Sequence, residues 1–110
     1  MATTKEFIQY VADQLAEGKE ISFRPMMGEY VLYCHGAVVG GVYDNRLLLK
    51  PTPSAKEMLP GAREELPYEG AKPMLLVEDL EDRSLLARVT EAIAQDLASG
   101  SAKRKPREKR

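Results

Sequence analysis

Between residues 5 and 17 the apolar positions Phe7, Ile8, Val11 and Leu15 recur at spacings of three, four and seven, while Lys5, Gln9, Asp13 and Glu17 fall on the opposite side. That period is helical, and it predicts an amphipathic helix with one face turned to a core. Thr3 and Glu6 stand at capping-box spacing at its start, and Gly18 offers a left-handed exit at its end. From Ile21 the pattern changes to short β-rich runs at 21–24, 29–34, 38–43 and 46–50, each bounded by turn residues. His35-Gly36 and Asp44-Asn45 are two-residue connections, the length of a tight hairpin, so three of the runs are expected to form an antiparallel meander.

In the second run Tyr30, Leu32 and Cys34 share one face and Val31, Tyr33 and His35 the other. Neither face is polar, which predicts a strand covered on both sides or central in its sheet. Gly40-Gly41 in the third run marks either a β-bulge or a close approach of a neighbouring backbone or ligand, with the bulge the simpler expectation. Thr52-Pro53 reads as N-cap and first helical position of a short helix closed by Pro60-Gly61. Residues 63–70 read as a polar connector, and Met74 to Val77 as one more strand. Leu86, Val89, Ile93 and Leu97 repeat at helical spacing after Asp82, an N-cap, and Ser99-Gly100 stops that helix. The order α-β-β-β-β-α-β-α predicts an α+β two-layer sandwich, an antiparallel sheet of about five strands covered on one face by the two longer helices.

With 110 residues, the chain has room for one domain. The N-terminal charges deny it a signal peptide, and the longest uncharged run, Tyr30 to Tyr43, is too short and glycine-rich for a membrane span. One cysteine, Cys34, cannot form an internal disulfide, which points to a reducing compartment and hence the cytoplasm. The net charge of -1 divides unevenly. Residues 101–110 hold six basic side chains and one acidic one, +5, which leaves -6 on residues 1–100. The expected organisation is therefore a folded domain over 1–100 and a disordered basic tail over 101–110.

Candidate chemistry is sparse. The single His and the single Cys are neighbours, Cys34-His35, and successive strand residues point to opposite faces, so the thiol and imidazole are not expected to meet. Soft donors are too few for a four-ligand zinc site, and Gly36 to Gly41 lies in a hairpin and not between strand and helix, as a phosphate loop would. No metal, cofactor or catalytic set is expected. Two stretches remain. In Arg24-Pro25-Met26-Met27-Gly28-Glu29-Tyr30 the methionines fill core gaps or, exposed, form an adaptable contact surface. Arg24 there either meets an anionic partner or pairs with a carboxylate of the domain. Arg24, Met26, Met27, Gly28 and Tyr30 are the candidate partner-binding residues. In the tail, Lys103, Arg104, Lys105, Arg107, Lys109 and Arg110 are candidates for non-specific phosphate contacts, without aromatics for base stacking. An enzyme site would need Arg24, Tyr30, Tyr33, His35 or Lys50 to converge on one pocket.

The sequence resembles the N-terminal domain of the TfoX/Sxy family. The resemblance rests on Phe7 to Leu15, on Phe23-Arg24-Pro25-Met26-Met27-Gly28-Glu29-Tyr30, on Val39 to Lys50, on Glu65-Leu66-Pro67-Tyr68-Glu69-Gly70-Ala71-Lys72 and on the closing helix. It implies a two-layer α+β domain similar in shape to secretion-chaperone-like folds, a link to regulation of DNA-uptake competence, and no enzyme activity. The family's competence regulators carry a second, helical domain after this one, at the place where this sequence has its basic tail. The resemblance thus implies a stand-alone regulatory or interaction domain of the bacterial cytoplasm, acting on a protein partner or as a homodimer.

Overall fold

The computed structural model describes residues 3–18 and 20–100, so the basic tail expected over 101–110 lies outside the described residues. The elements are α1 (Lys5–Gln14), β1 (Ile21–Met26), β2 (Glu29–Cys34), β3 (Ala37–Val42), β4 (Leu47–Leu49), α2 (Pro53–Met58), β5 (Glu64–Glu65), β6 (Met74–Val77) and α3 (Arg83–Ser99). The fold is α+β, as the pattern predicts, with one strand more: a six-stranded antiparallel sheet in the order β1-β2-β3-β4-β6-β5. β5 was hidden within the polar connector because two glutamates carry no apolar alternation. Only pairing to Leu75 and Met74 of β6 makes them a strand.

Three consecutive two-residue turns build the β1–β4 meander. Met27-Gly28, His35-Gly36 and Asp44-Asn45 all stand at positive φ, between 52° and 87°, the pattern of type I′ turns, whose twist matches the strands they join. β2 is an interior strand, between the edge strand β1 and β3, in keeping with its two apolar faces. The register steps between Leu32 and Tyr33, which pair with Gly40 and Val38 and leave Val39 as the extra, bulged residue. The bulge thus falls beside the glycine pair. The glycines themselves serve the other purpose considered, close approach: a Cβ on Gly40 would lie 2.2 Å from the Leu48 carbonyl oxygen, and one on Gly41 would lie 2.4 Å from the Tyr43 ring.

Leu32 and Cys34 of β2, Leu47 and Leu49 of β4, and Leu75 and Val77 of β6 alternate onto one face. There they meet Val11 and Leu15 of the α1 region, Ala55 of α2, and Leu86, Val89 and Ile93 of α3 in a single core. At about 25 cal/mol per Å2, each such aliphatic side chain contributes roughly 1.5–3 kcal/mol to burial. Leu48, paired with Gly41 and Leu76, faces the other way and is also fully buried.

Both ends of α1 differ from expectation. Thr4, one residue later than the capping box, is the N-cap, its hydroxyl accepting from the Phe7 N–H. Thr3 is instead drawn inward, donating its hydroxyl to Glu29 Oε1 at 2.7 Å while its own N–H donates to the Gly28 carbonyl. The helix stops at Gln14 with Leu15 as C-cap, and the left-handed residue before β1 is Glu20, at φ 56°, in place of Gly18. Gly18 is needed for space, since a Cβ there would lie 2.7 Å from Ile21 Cγ1. The remaining caps follow the pattern: Thr52 with Pro53 opens α2, Asp82 opens α3, and Gly100 at φ 82° closes α3.

Candidate binding cleft

The β3–β4 turn and the segment after β5 are tied together by one side chain. Arg46 donates from Nε to the Tyr43 carbonyl at 3.1 Å and from Nη1 to Glu65 Oε1 at 2.8 Å and the Leu66 carbonyl at 3.2 Å. Its Nη2 donates to the Pro67 carbonyl at 3.5 Å. A planar guanidinium with five donors suits this fan of acceptors, and its side chain is only 27% exposed. Arg63 extends the ionic net to Glu78 at 3.0 Å. The segment so anchored turns through Tyr68 to Ala71, whose N–H donates to the Tyr68 carbonyl, with Gly70 at φ 88°.

Beside Gly40 this leaves a cleft of about 530 Å3. Val38, Gly40, Met74 and Leu97 contribute apolar lining, Tyr43 and Tyr68 one wall, and Lys50 and Lys72 two cationic side chains. The missing Cβ of Gly41 is what lets the Tyr43 ring lie against the sheet. Tyr68 stands 6.1 Å from it in a tilted ring pair. Burial raises the Tyr43 phenol above its ordinary value, helped by Tyr68 and Glu29, so it stays a neutral hydrogen-bonding group. Next to the lining residues Thr52 and Leu97, α2 is held against α3: Ser54 donates its N–H and its hydroxyl to the two oxygens of Asp96, both at 2.9 Å. Burial alone would raise the Asp96 carboxyl, but hydrogen bonds from Ser54 and Thr52 outweigh it and hold the group below its ordinary value.

The sequence-level candidates stand elsewhere. Met26 and Met27 do not fill the core: they are 40% and 97% exposed at the β1–β2 tip. Met27 occupies a turn position and Met26 pairs with Glu29, on the side of β1 away from the helices. Arg24 lies 5.5 Å over the Tyr33 ring in a cation–π contact. Tyr30 is half-buried against the core. Of the set an enzyme site required, only Lys50 lines the cleft. Tyr43, Arg46, Tyr68 and Lys72 were not singled out by residue chemistry. Their signal lay in the family-like stretches 39–50 and 65–72, which the fold brings together on one cleft.

The expected separation of Cys34 from His35 is overturned. His35 is outside the strand, at φ 52° in the β2–β3 turn, so strand alternation does not govern it. Its Nε2 lies 2.8 Å from Glu91 Oε1 of α3, and the donor atoms of Cys34, His35 and Glu91 all lie within 4.8 Å of one another. Burial raises the Cys34 thiol above its ordinary value, and Glu91 and Glu20 add to the rise.

Comparison with known proteins places the sequence in a family. The TfoX N-terminal domain model matches residues 13–98. The chain belongs to the TfoX N-terminal domain family. It is also 36% identical over 96 residues, 84% of each chain, to an uncharacterised 12.7 kDa protein in the trpE 5′ region of Spirochaeta aurantia. No solved structure matches it. This TfoX N-terminal domain is thus competence-regulator-like in its family. Among its described residues no helix is long and apolar enough to cross a membrane.

Proposed function

We propose that this domain is a non-enzymatic regulatory module that binds a protein partner in the Tyr43–Tyr68 cleft. The observation that carries the reading is the convergence of stretches 39–50 and 65–72 on one concave surface with an apolar floor and two lysines. Such a surface suits an apolar segment bearing a carboxylate: the floor takes the apolar side chain, the tyrosines supply rigid contact area, and Lys50 and Lys72 take the charge. A cytoplasmic home is consistent with the single cysteine.

The test is affinity capture from the native cell in the presence of nuclease, followed by titration of the recovered partner. Wild type and Met27→Asn are expected to bind alike, and Tyr68→Ala with Lys72→Glu to bind at least about 30-fold more weakly, the loss typical of an aromatic hot spot. Undiminished binding by the cleft variant overturns the reading, and light scattering reads whether the partner is a second copy. A second reading, weak nucleic-acid association, is supported by the +5 charge of residues 101–110. Neutralising about five phosphates gives a log–log salt slope on duplex DNA of roughly -4 to -5, which removal of residues 101–110 abolishes.

A further inference from the structure

We propose that Cys34, His35 and Glu91 form a site for a zinc-class divalent ion, coordinated by one thiolate, one imidazole and one carboxylate with a water in the fourth position. None of the three lines the Tyr43–Tyr68 cleft, so the proposal stands apart from the partner-binding reading.

Thiolate, imidazole and carboxylate are the three donor types that zinc takes in proteins, and three protein ligands plus water is its usual open arrangement. Zinc–sulfur bonds of about 2.3 Å and zinc–nitrogen or zinc–oxygen bonds of about 2.0–2.2 Å put tetrahedral donors roughly 3.3–3.6 Å apart. Here all three donors already lie within 4.8 Å of one another, with the His35–Glu91 pair at 2.8 Å, a spread that brackets those spacings. The three ligands stand on elements the fold holds fixed. Cys34 ends β2, in register with Ile21 and Ala37. His35 is set by the type I′ turn and by its N–H, which donates to the Glu20 carbonyl at 3.0 Å. Glu91 sits mid-way along α3, where Gln95 Nε2, one turn on, donates to its second oxygen at 3.3 Å while Oε1 meets His35. Outer contacts of that kind orient a ligating carboxylate. Access also exists: His35 and Glu91 side chains are 41% and 34% exposed, and a groove of about 490 Å3 has Glu91 in its wall. Binding would replace the Cys34 S–H bond by a metal–sulfur bond, release one proton to solvent, and exchange the His35–Glu91 hydrogen bond for two metal bonds.

The test uses the full reduced chain with Zn2+ in competition with a chelator, and Co2+ as spectroscopic probe. Expected are one ion per chain, a thiolate-to-cobalt charge-transfer band, and tetrahedral cobalt absorption. His35→Asn, which suits the positive-φ turn position and so keeps the fold, and Glu91→Gln are each expected to weaken Zn2+ about 100-fold or more. Cys34→Ser is expected to abolish the charge-transfer band. Folded wild type that shows no such band, or His35→Asn and Glu91→Gln variants that bind Zn2+ as wild type does, overturns the site. Neither result bears on the cleft, whose failure would be read from partner binding alone.

Discussion

The Tyr43–Tyr68 cleft and the β1–β2 hairpin both draw on family-like stretches, yet they are made by different kinds of contact. The hairpin is local: Met26 pairs with Glu29 across a two-residue turn, and Met27 projects 97% exposed from its tip. The cleft is assembled from segments some twenty to sixty residues apart, by a glycine pair, one arginine and the α2–α3 contact. A surface of the first kind survives substitution of its side chains. One of the second kind is expected to weaken as each of its fixings is removed.

The strongest way to break the comparison is Gly40→Val. Its Cβ would have to occupy space 2.2 Å from the Leu48 carbonyl oxygen and 2.9 Å from Leu49 Cα, backbone that cannot rotate away. We expect a loss of about 3 kcal/mol or more in urea melts followed by far-ultraviolet circular dichroism, with the cleft lost along with the β3–β4 pairing. Arg46→Met comes next. It removes a partly buried charge-assisted bond to Glu65 and the donors to three carbonyls, for which about 2 kcal/mol is expected. NMR of the Tyr68 ring should show the 65–72 segment released while the meander persists; an unchanged Tyr68 signal would mean that Arg46 does not hold the wall.

How far the sequence could be read follows the same division. Turns, caps and strand runs are encoded within a few residues, so His35-Gly36, Asp44-Asn45, Thr52-Pro53 and the α3 boundaries were all legible. β5 was not, because Glu64 and Glu65 become a strand only through β6. The cleft was invisible for a related reason: nothing in the residue pattern says that Arg46 reaches Glu65, or that Tyr43 meets Tyr68. Met26 and Met27 drew notice as a motif, but their exposure depended on a positive-φ turn at Met27-Gly28, which methionine does not advertise. Cys34-His35 shows the inverse error, a strand rule applied one residue past the strand end.

A smaller effect concerns the α2–α3 contact. Asp96 has its folded value held below the ordinary one, so the unfolded chain takes up the proton more readily. Its contribution to stability is therefore complete above the unfolded value of about 3.9 and is lost as pH falls through the lower folded value. Stability measured from pH 5 downward should fall less steeply for Asp96→Asn than for wild type. Equal slopes would show that the Ser54 and Thr52 bonds do not favour the charged form.

The smallest effect is the one that separates the two regions most cleanly. Met27→Asn creates an Asn-Gly turn at positions of φ 53° and 87°, a pair suited to a type I′ hairpin. Because the replaced side chain is almost fully exposed, no core contact is lost. Stability should stay within about 0.5 kcal/mol of wild type, with any change toward greater stability. Partner binding should be unchanged, since Met27 does not line the cleft. If this variant instead keeps its stability and loses the partner, the functional roles of the two regions are exchanged: the methionine tip is then the contact surface and the cleft a by-product of packing. The stability measurement makes that conclusion possible, because it removes misfolding as the cause.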